Sequence, residues 1–155
     1  LTPFIFELDE TVTDSHHRQG ETLAEWIALN TPENVAKDTL LPLADQMKAA
    51  YHNGDVVTVC TSRVLSAHDF ESFRSLGLRF DNLLARTLLD GNEAAGSLKL
   101  RLLQGMAKRQ NVSWRQFCRT AIMFDDNQDV KETLNRNGLK CFCPINYNSR
   151  NKKAA

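Results

Sequence analysis

Short apolar segments alternate along the chain with longer segments that mix apolar and polar residues. The apolar segments are residues 4–8, 55–60, 83–86, 121–125 and 140–143. Each is largely apolar at consecutive positions, which is typical of strands that are covered on both faces. The pattern therefore predicts a buried, parallel sheet built from these segments.

The longer segments predict helices. They cover residues 21–29, 40–52, 67–76, 96–110, 113–118 and 128–137. In the first, Leu23, Trp26 and Ile27 recur at helical spacing and would form one apolar face. Ser66 and Ser113 are in position to act as N-caps of two later helices. This alternation of strands and helices predicts a three-layer α/β/α, Rossmann-like fold with a central parallel sheet.

Length and composition predict a single domain. The chain has 155 residues, of which 42% are hydrophobic, and this is enough for one core but leaves little room for a second. We expect the domain to cover residues 1–147. Residues 148–155 are polar, and we expect them to form a flexible tail.

Charge and hydropathy limit the kinds of binding partner that the sequence favours. Lysine and arginine together number 19, as do aspartate and glutamate, so no net charge favours nucleic acid or an anionic membrane. No apolar run approaches the roughly 18 residues that span a bilayer, and the first residues lack the pattern of a secretion signal. We expect a soluble, cytoplasmic protein whose four cysteines are buried free thiols.

Acidic and hydroxyl side chains follow three of the predicted strands. Glu7 and Asp9 end the first, Thr61 ends the second, and Asp125 and Asp126 end the fourth. Because the carboxyl ends of parallel strands line the ligand crevice of such sheets, we expect these side chains to meet. Carboxylates from separate strands are typical ligands of Mg²⁺ in phosphoryl-transfer sites.

The order of these motifs resembles the haloacid dehalogenase superfamily of phosphatases. The first motif of that family, Asp-x-Asp-x-Thr after a strand, is matched by residues 7–11, Glu-Leu-Asp-Glu-Thr. A strand ending in Ser or Thr is matched at Thr61, and a strand ending in Asp-Asp at residues 125–126. Lys99 is our choice for the lysine that begins a helix, with Lys108 as its rival.

Within the superfamily, the chain is most similar to the 3′-phosphatase domains of polynucleotide kinases. Residues 38–63 resemble their helix and strand ending in Ser-Gly-Arg, although Ser62 replaces the glycine. Residues 121–126 resemble their closing segment, and Arg86 is set opposite their arginine-bearing strand end. The resemblance implies an open site with little or no cap.

The resemblance also implies how such a site works. The first acid attacks phosphorus, the second protonates the leaving oxygen, and Mg²⁺ shields the negative charges. The substrate would be a phosphorylated small molecule or a nucleic-acid end with a 3′-phosphate, which Arg18 would also contact. The implied catalytic residues are Glu7, Asp9, Thr61 and Lys99; the substrate contacts are Thr11, Ser62, Arg63 and Arg86; and the Mg²⁺ ligands are Glu7, Asp9, Asp125 and Asp126.

Glu7 departs from the family pattern, which has aspartate at the attacking position. The glutamate carboxylate lies one methylene farther out, about 1.5 Å, whereas productive attack needs finer positioning. Three outcomes stay open: a loop shifted to fit the longer acid, a carboxylate that holds metal and activates water, or a phosphate-binding protein without turnover. We favour weak or altered hydrolysis over a catalytically inactive binding or regulatory protein.

Three further features have a structural interpretation. The adjacent His16 and His17 lie in a polar segment, and we expect them to be solvated rather than to bind metal. Trp26 and Trp114 are expected to pack their helices rather than to stack on bases. A dinucleotide-binding fold is disfavoured, because acids stand after the first strand where that fold needs a Gly-x-Gly-x-x-Gly turn.

Overall fold

A parallel sheet forms the central layer of the molecule, in a computed structural model that describes residues 2–152. The strands are β1 Pro3–Phe6, β2 Thr13–Asp14, β3 Thr39–Leu40, β4 Val56–Thr61, β5 Asn82–Ala85, β6 Ile122–Phe124 and β7 Lys140–Phe142. The sheet has five strands in the order β5-β4-β1-β6-β7, with all four neighbouring pairs parallel. The five predicted strands are therefore confirmed, with ends shifted by at most two residues.

Helices cover both faces of this sheet. They are α1 Leu23–Leu29, α2 Pro32–Val35, α3 Leu43–His52, α4 Ala67–Leu76, α5 Ala95–Arg109, α6 Trp114–Thr120, α7 Gln128–Arg136 and α8 Ile145–Asn151. The six predicted helices are all present. Ser66 and Ser113 are the N-cap residues of α4 and α6, as expected.

Successive residues of β1 explain the three layers. Ile5 and Phe6 are both buried, but neighbouring side chains of a strand point to opposite faces. Ile5 packs with Leu103 of α5 and its neighbours, whereas Phe6 packs with Met47 of α3 in a second cluster. Burial on both faces is the physical reason why the strands are apolar at consecutive positions.

Several short elements were not expected from the sequence. The strands β2 and β3 form a small antiparallel pair in which Thr13 is paired with Leu40. Helix α2 and the 3₁₀ turns His16–Arg18 and Leu88–Asp90 have three or four residues each. Elements of this length contain too few residues to show a hydrophobic period.

The expected flexible tail is wrong as far as residue 151, because residues 145–151 form α8. Asn148 is buried, and its Oδ1 accepts a hydrogen bond of 2.9 Å from the backbone N of Leu43. Its Nδ2 donates one of 3.0 Å to the backbone O of Thr11. A polar segment is thus held by one buried amide, while residues 153–155 lie outside the described residues.

Replacing Asn148 by alanine is expected to lower the free energy of unfolding by about 1–3 kcal/mol, because it leaves buried backbone groups without partners. Urea denaturation followed by circular dichroism measures this difference. Asn146→Ala in the same helix is the matched control, since Asn146 is exposed. Its effect is expected to stay within about 0.5 kcal/mol. Equal effects of the two substitutions would show that Asn148 does not hold α8 in place.

The cysteines differ in how far their side chains are buried. Cys60 and Cys141 are buried free thiols, as predicted, and burial raises the pKa of Cys141 to about 12. Cys143 is exposed instead, because it follows the edge strand β7.

Within residues 2–152, no helix is both long and apolar enough to cross a bilayer.

Candidate active site

Three adjacent strands, β4, β1 and β6, deliver the predicted site residues to one edge of the sheet. Glu7 follows β1, Thr61 is the last residue of β4, and Asp125 follows β6. All three side chains are buried. Beside them lies a cavity of about 410 Å³, whose lining includes Glu7, Asp9, Arg63, Lys99, Asp125 and Asp126.

The carboxylate of Glu7 turns back onto its own loop. Its Oε1 accepts hydrogen bonds from the backbone N of Leu8 at 2.9 Å and of Asp9 at 3.3 Å. Its Oε2 accepts one from Nζ of Lys99. The extra methylene is accommodated by this turn, so both carboxylate oxygens already have hydrogen-bond partners.

Lys99 lies between two acids. Its ammonium group is buried, contacts Glu7, and lies 2.5 Å from Oδ2 of Asp125. The other oxygen of Asp125 accepts a hydrogen bond from the backbone N of Asn127 at 2.9 Å. Lys108 is exposed on the same helix, so it is Lys99 that the fold brings to the site.

Close packing of α5 against α7 fixes the position of Lys99. The backbone N of Gly96 donates a hydrogen bond of 2.8 Å to Oδ2 of Asp129. A Cβ atom at Gly96 would lie only 2.5 Å from Oγ1 of Thr133. Only glycine permits this approach at the first turn of α5, and Lys99 follows within one turn.

Asp9 is held from two sides. Its Oδ1 accepts a hydrogen bond of 2.7 Å from Oγ of Ser15, and its Oδ2 accepts one of 2.8 Å from Nε of Arg63. Nη1 of Arg63 also donates to Oδ1 of Asp69 at 2.6 Å. The guanidinium group therefore orients the acid, and its proposed contact with substrate phosphate stays a prediction.

Asp69 is the centre of a buried ion-pair network that the sequence did not reveal. Burial raises the pKa of Asp69, but the charge and hydrogen bond of Arg63 outweigh burial and lower it. Arg18 binds Asp38 through Nε and Nη2, at 2.9 and 2.5 Å, and lies 3.5 Å from Asp69. The expectation that Arg18 contacts phosphate is wrong, because its side chain is buried between these two acids.

Arg86 connects the end of β5 to the loop that follows it. Its guanidinium group donates to the backbone O of Ser62 at 2.6 Å, of Gly91 at 2.7 Å and of Glu93 at 2.9 Å. Arg86 and Ser62 also line the cavity. The side chain thus shapes the cavity wall. These bonds use three of the five donors of the guanidinium group, and its contact with substrate stays a prediction.

The two threonines support the loops beneath the cavity. Oγ1 of Thr61 accepts a hydrogen bond of 3.2 Å from the backbone N of Arg63, and Oγ1 of Thr11 donates one of 3.4 Å to Asp126. Burial, together with the charge of Asp125, raises the pKa of Asp126 to about 6. Burial is the larger of these two causes, and the nearby ammonium group of Lys99 acts in the opposite direction.

The donor chemistry fits Mg²⁺, because carboxylate oxygens are the hard ligands that this ion prefers. The predicted ligands are Glu7, Asp9, Asp125 and Asp126, but their oxygens do not gather into a group of three within 4.8 Å. Lys99 lies between Glu7 and Asp125 and neutralises them instead. The metal-binding role of these acids stays a prediction.

A group with compact ligand geometry lies elsewhere. Over residues 2–152, the group whose ligand atoms all fall within 4.8 Å is Asp14, His16 and His17. Nδ1 of His16 lies 2.5 Å from Asp14, which raises the pKa of this exposed histidine. His17 is only partly exposed, and its Nε2 lies 2.8 Å from the backbone O of Asn34. His16 is therefore exposed but paired with Asp14, and His17 contacts the protein backbone, so the expectation that the two are simply solvated is wrong for His17. That they do not bind metal stays a prediction.

The two tryptophans differ in their surroundings. Trp114 stacks on Phe117 with ring centroids 5.5 Å apart, and it packs its helix as predicted. Helix α1 contains no buried residue, and its Leu23 and Trp26 line the cavity. The expectation that Trp26 packs a helix against the core is wrong, because α1 lies at the cavity rather than on the sheet.

Comparison with known families gives one match over nearly the whole chain. A sequence model of the family described as bacteriophage T5 5′-deoxynucleotidase matches residues 2–150. A comparison with curated proteins found no match.

Several solved structures with the same fold are described as haloacid dehalogenase-type hydrolases. One from Streptococcus pneumoniae has a TM-score of 0.66 at 12% identity, with 91% of this chain and 83% of that chain covered. One from Geobacter sulfurreducens PCA has a TM-score of 0.62 at 13% identity, with 91% and 88% covered. The haloacid dehalogenase fold implied by the motifs is confirmed.

The Pnkp1/Rnl/Hen1 RNA repair complex contains a further similar structure. Its TM-score is 0.64 at 21% identity, and 92% of this chain is covered. The match spans only 42% of that chain, so it includes less than half of the larger protein. At this identity the similarity shows the fold alone.

Proposed function

Since the chain belongs to the bacteriophage T5 5′-deoxynucleotidase family, we propose that it hydrolyses the phosphomonoester of deoxynucleoside 5′-monophosphates with the help of Mg²⁺. The observation that supports this most strongly is the arrangement around Lys99. One buried ammonium group contacts acids from two strand ends, beside a cavity of about 410 Å³. A cavity of this size is in the usual range for small-molecule ligands.

In the proposed reaction each side chain has a distinct task. Lys99 neutralises the phosphoryl group, and Asp9 donates a proton to the leaving 5′ oxygen. The carboxylates of Asp125 and Asp126, with those of the first motif, would hold Mg²⁺, which supplies shielding of negative charge. Ser15 and Arg63 keep the carboxyl group of Asp9 in one orientation.

Glu7 occupies the position of the nucleophile. One oxygen attacks phosphorus and forms an acyl phosphate while the bond to the 5′ oxygen breaks; water then releases phosphate and restores the carboxylate. Because both oxygens of Glu7 accept hydrogen bonds from Lys99 or from the loop, attack requires one of these contacts to be released. We therefore propose slow turnover.

Release of inorganic phosphate from the four deoxynucleoside 5′-monophosphates, with Mg²⁺ and with EDTA, tests this function. Turnover that requires the metal is the expected result, with a rise in melting temperature on adding Mg²⁺ as an independent measure of metal binding. Absence of phosphate release from every substrate, together with binding of phosphate, would support the alternative of an inactive binding or regulatory protein.

A nucleic-acid 3′-phosphate is the second candidate substrate. The structural similarity to the RNA repair complex and the sequence resemblance to polynucleotide 3′-phosphatases support it. An oligonucleotide with a 3′-phosphate is therefore assayed beside the mononucleotides. A higher kcat/KM for the oligonucleotide would favour this candidate over the first.

Shortening Glu7 to aspartate is expected to raise kcat by about 10- to 100-fold, because a misplacement of 1 Å costs about this much in rate. The shorter side chain cannot turn back onto the loop in the same way. Steady-state phosphate release measures the change, and Glu71→Asp on an exposed face of α4 is the control. A fall in kcat would show that the loop is built for glutamate. Activity in Glu7→Asp alone, with none in the natural protein, would support the regulatory alternative.

A further inference from the structure

The apolar side of helix α1 faces the candidate active site rather than the core. Leu23 and Trp26 are three positions apart and so lie on one side of the helix. Both line the cavity that also contains the carboxylates and Lys99. None of the residues of α1 is buried, which leaves this apolar side available to a ligand.

The lining of the cavity combines two kinds of side chain. Asp9, Lys99 and Asp125 are charged and suit a phosphate and its metal. Leu23 and Trp26 suit an apolar, aromatic group. A nucleoside monophosphate has this same division, since its phosphate is charged and its base presents a flat π-face.

Helix α1 is connected to Asp9, the proposed catalytic acid, through a series of hydrogen bonds. Asn30, which caps the end of α1, donates a hydrogen bond of 3.0 Å from Nδ2 to Oδ2 of Asp69. The other oxygen of Asp69 binds Arg63, and Arg63 binds Asp9. This series of contacts fixes the helix relative to the acid that protonates the leaving group.

A close approach also fixes the start of α1. A Cβ atom at Gly20 would lie 2.5 Å from Cβ of Glu25 and 2.7 Å from the backbone N of Trp26. The segment before α1 therefore packs directly on the turn that contains Trp26. The backbone at Trp26 is thus held by the preceding segment and by the contact between Asn30 and Asp69.

We propose that Trp26 is the platform on which the base of the substrate stacks while its phosphate lies at Lys99. This inference rests on the proposed nucleotidase function and adds the residue that recognises the nucleoside. Stacking depends on the π-face, which every base has, so the enzyme accepts all four bases with similar kcat/KM. Specificity for a nucleotide over other phosphomonoesters then comes from α1.

Kinetics of Trp26→Ala on two substrates test the proposal. Deoxyribose 5-phosphate has the same phosphate and sugar but no base, so it is the matched control substrate. For the deoxynucleoside monophosphates, the loss of stacking is expected to lower kcat/KM by about 5- to 150-fold, mainly through KM. For deoxyribose 5-phosphate, kcat/KM is expected to stay unchanged. Trp26→Phe, which keeps an aromatic ring, is expected to keep most of the kcat/KM of the natural protein for the deoxynucleoside monophosphates.

Tryptophan fluorescence provides a binding measurement that does not need turnover. The chain has two tryptophans, so Trp114→Phe leaves Trp26 as the single reporter. Titration with dAMP in the presence of EDTA is expected to quench its emission, whereas deoxyribose 5-phosphate at the same concentration is not.

The outcomes separate this inference from the proposed function. Equal loss of kcat/KM on both substrates, or no loss on either, overturns the role of Trp26 while the phosphatase function stands. If neither substrate is hydrolysed, the proposed function fails, and the fluorescence titration decides about Trp26 alone. Quenching by dAMP only would then support a nucleotide-binding platform, and equal or absent quenching by both ligands would overturn it.

Discussion

Replacing Lys99 by methionine is expected to lower the free energy of unfolding by about 3–5 kcal/mol, which is the usual cost of removing one partner of a buried ion pair. Glu7 and Asp125 would stay buried without their shared ammonium group, since Glu7 is 5% exposed and Asp125 is 0% exposed. Phosphate release is expected to be lost as well. Denaturation in urea with EDTA, and the phosphatase assay with Mg²⁺, measure the two effects.

Lys108→Met is the matched control for this substitution. Lys108 lies on the same helix and is exposed, so its replacement is expected to change stability by no more than about 0.5 kcal/mol. A similar loss in both variants would show that the ammonium group of Lys99 does not hold the two carboxylates.

Asp9→Asn is expected to lower kcat for deoxynucleoside 5′-monophosphates by about 10²- to 10⁴-fold, the usual contribution of a general acid. The amide can still accept a hydrogen bond from Ser15 or Arg63, so the fold should be kept, which a melting curve checks. Steady-state phosphate release measures the loss. Asp45→Asn at an exposed position of α3 is the control and should leave kcat unchanged.

The leaving group distinguishes an acid from a positioning or metal-binding residue. p-Nitrophenyl phosphate has a leaving group that needs little protonation, so Asp9→Asn should reduce its hydrolysis much less than that of dAMP. An equal reduction for both substrates would assign Asp9 to the metal or to orientation instead.

The sheet, and the gathering of acidic side chains at one of its edges, could be predicted from the sequence because they depend on local pattern. Consecutive apolar residues in β1 and β4 reflect burial on both faces. Glu7 and Asp125 stand directly after strands, and Asp9 follows two residues after Glu7. The choice of Lys99 over Lys108 depended on the family motif.

The partners of the arginines could not be predicted, because ion pairs between distant segments leave no local signal. Arg63 and Asp9 are 54 positions apart, and Arg18 and Asp69 are 51 apart. The sequence around an arginine near a strand end looks the same whether its side chain is free or is buried in an ion-pair network.

The surroundings of Trp26 could not be predicted from the spacing of apolar residues either. A helix that lines a cavity and a helix that packs on a sheet both have apolar residues at a spacing of three or four. Only the tertiary placement of α1, which buries none of its side chains, separates the two. The polar α8 was missed for the related reason that its attachment depends on Asn148 rather than on an apolar face.

The contact of Asn148 with the backbone of Thr11 bears on the order in which the parts of the chain pack together. These residues are 137 positions apart, and β1 is also flanked by β6 from the second half of the chain. Contacts between such distant segments form late and slow the search for the native state. The loop after β1, which contains Asp9, therefore completes its contacts only when β6 and the helix that contains Asn148 have packed against it.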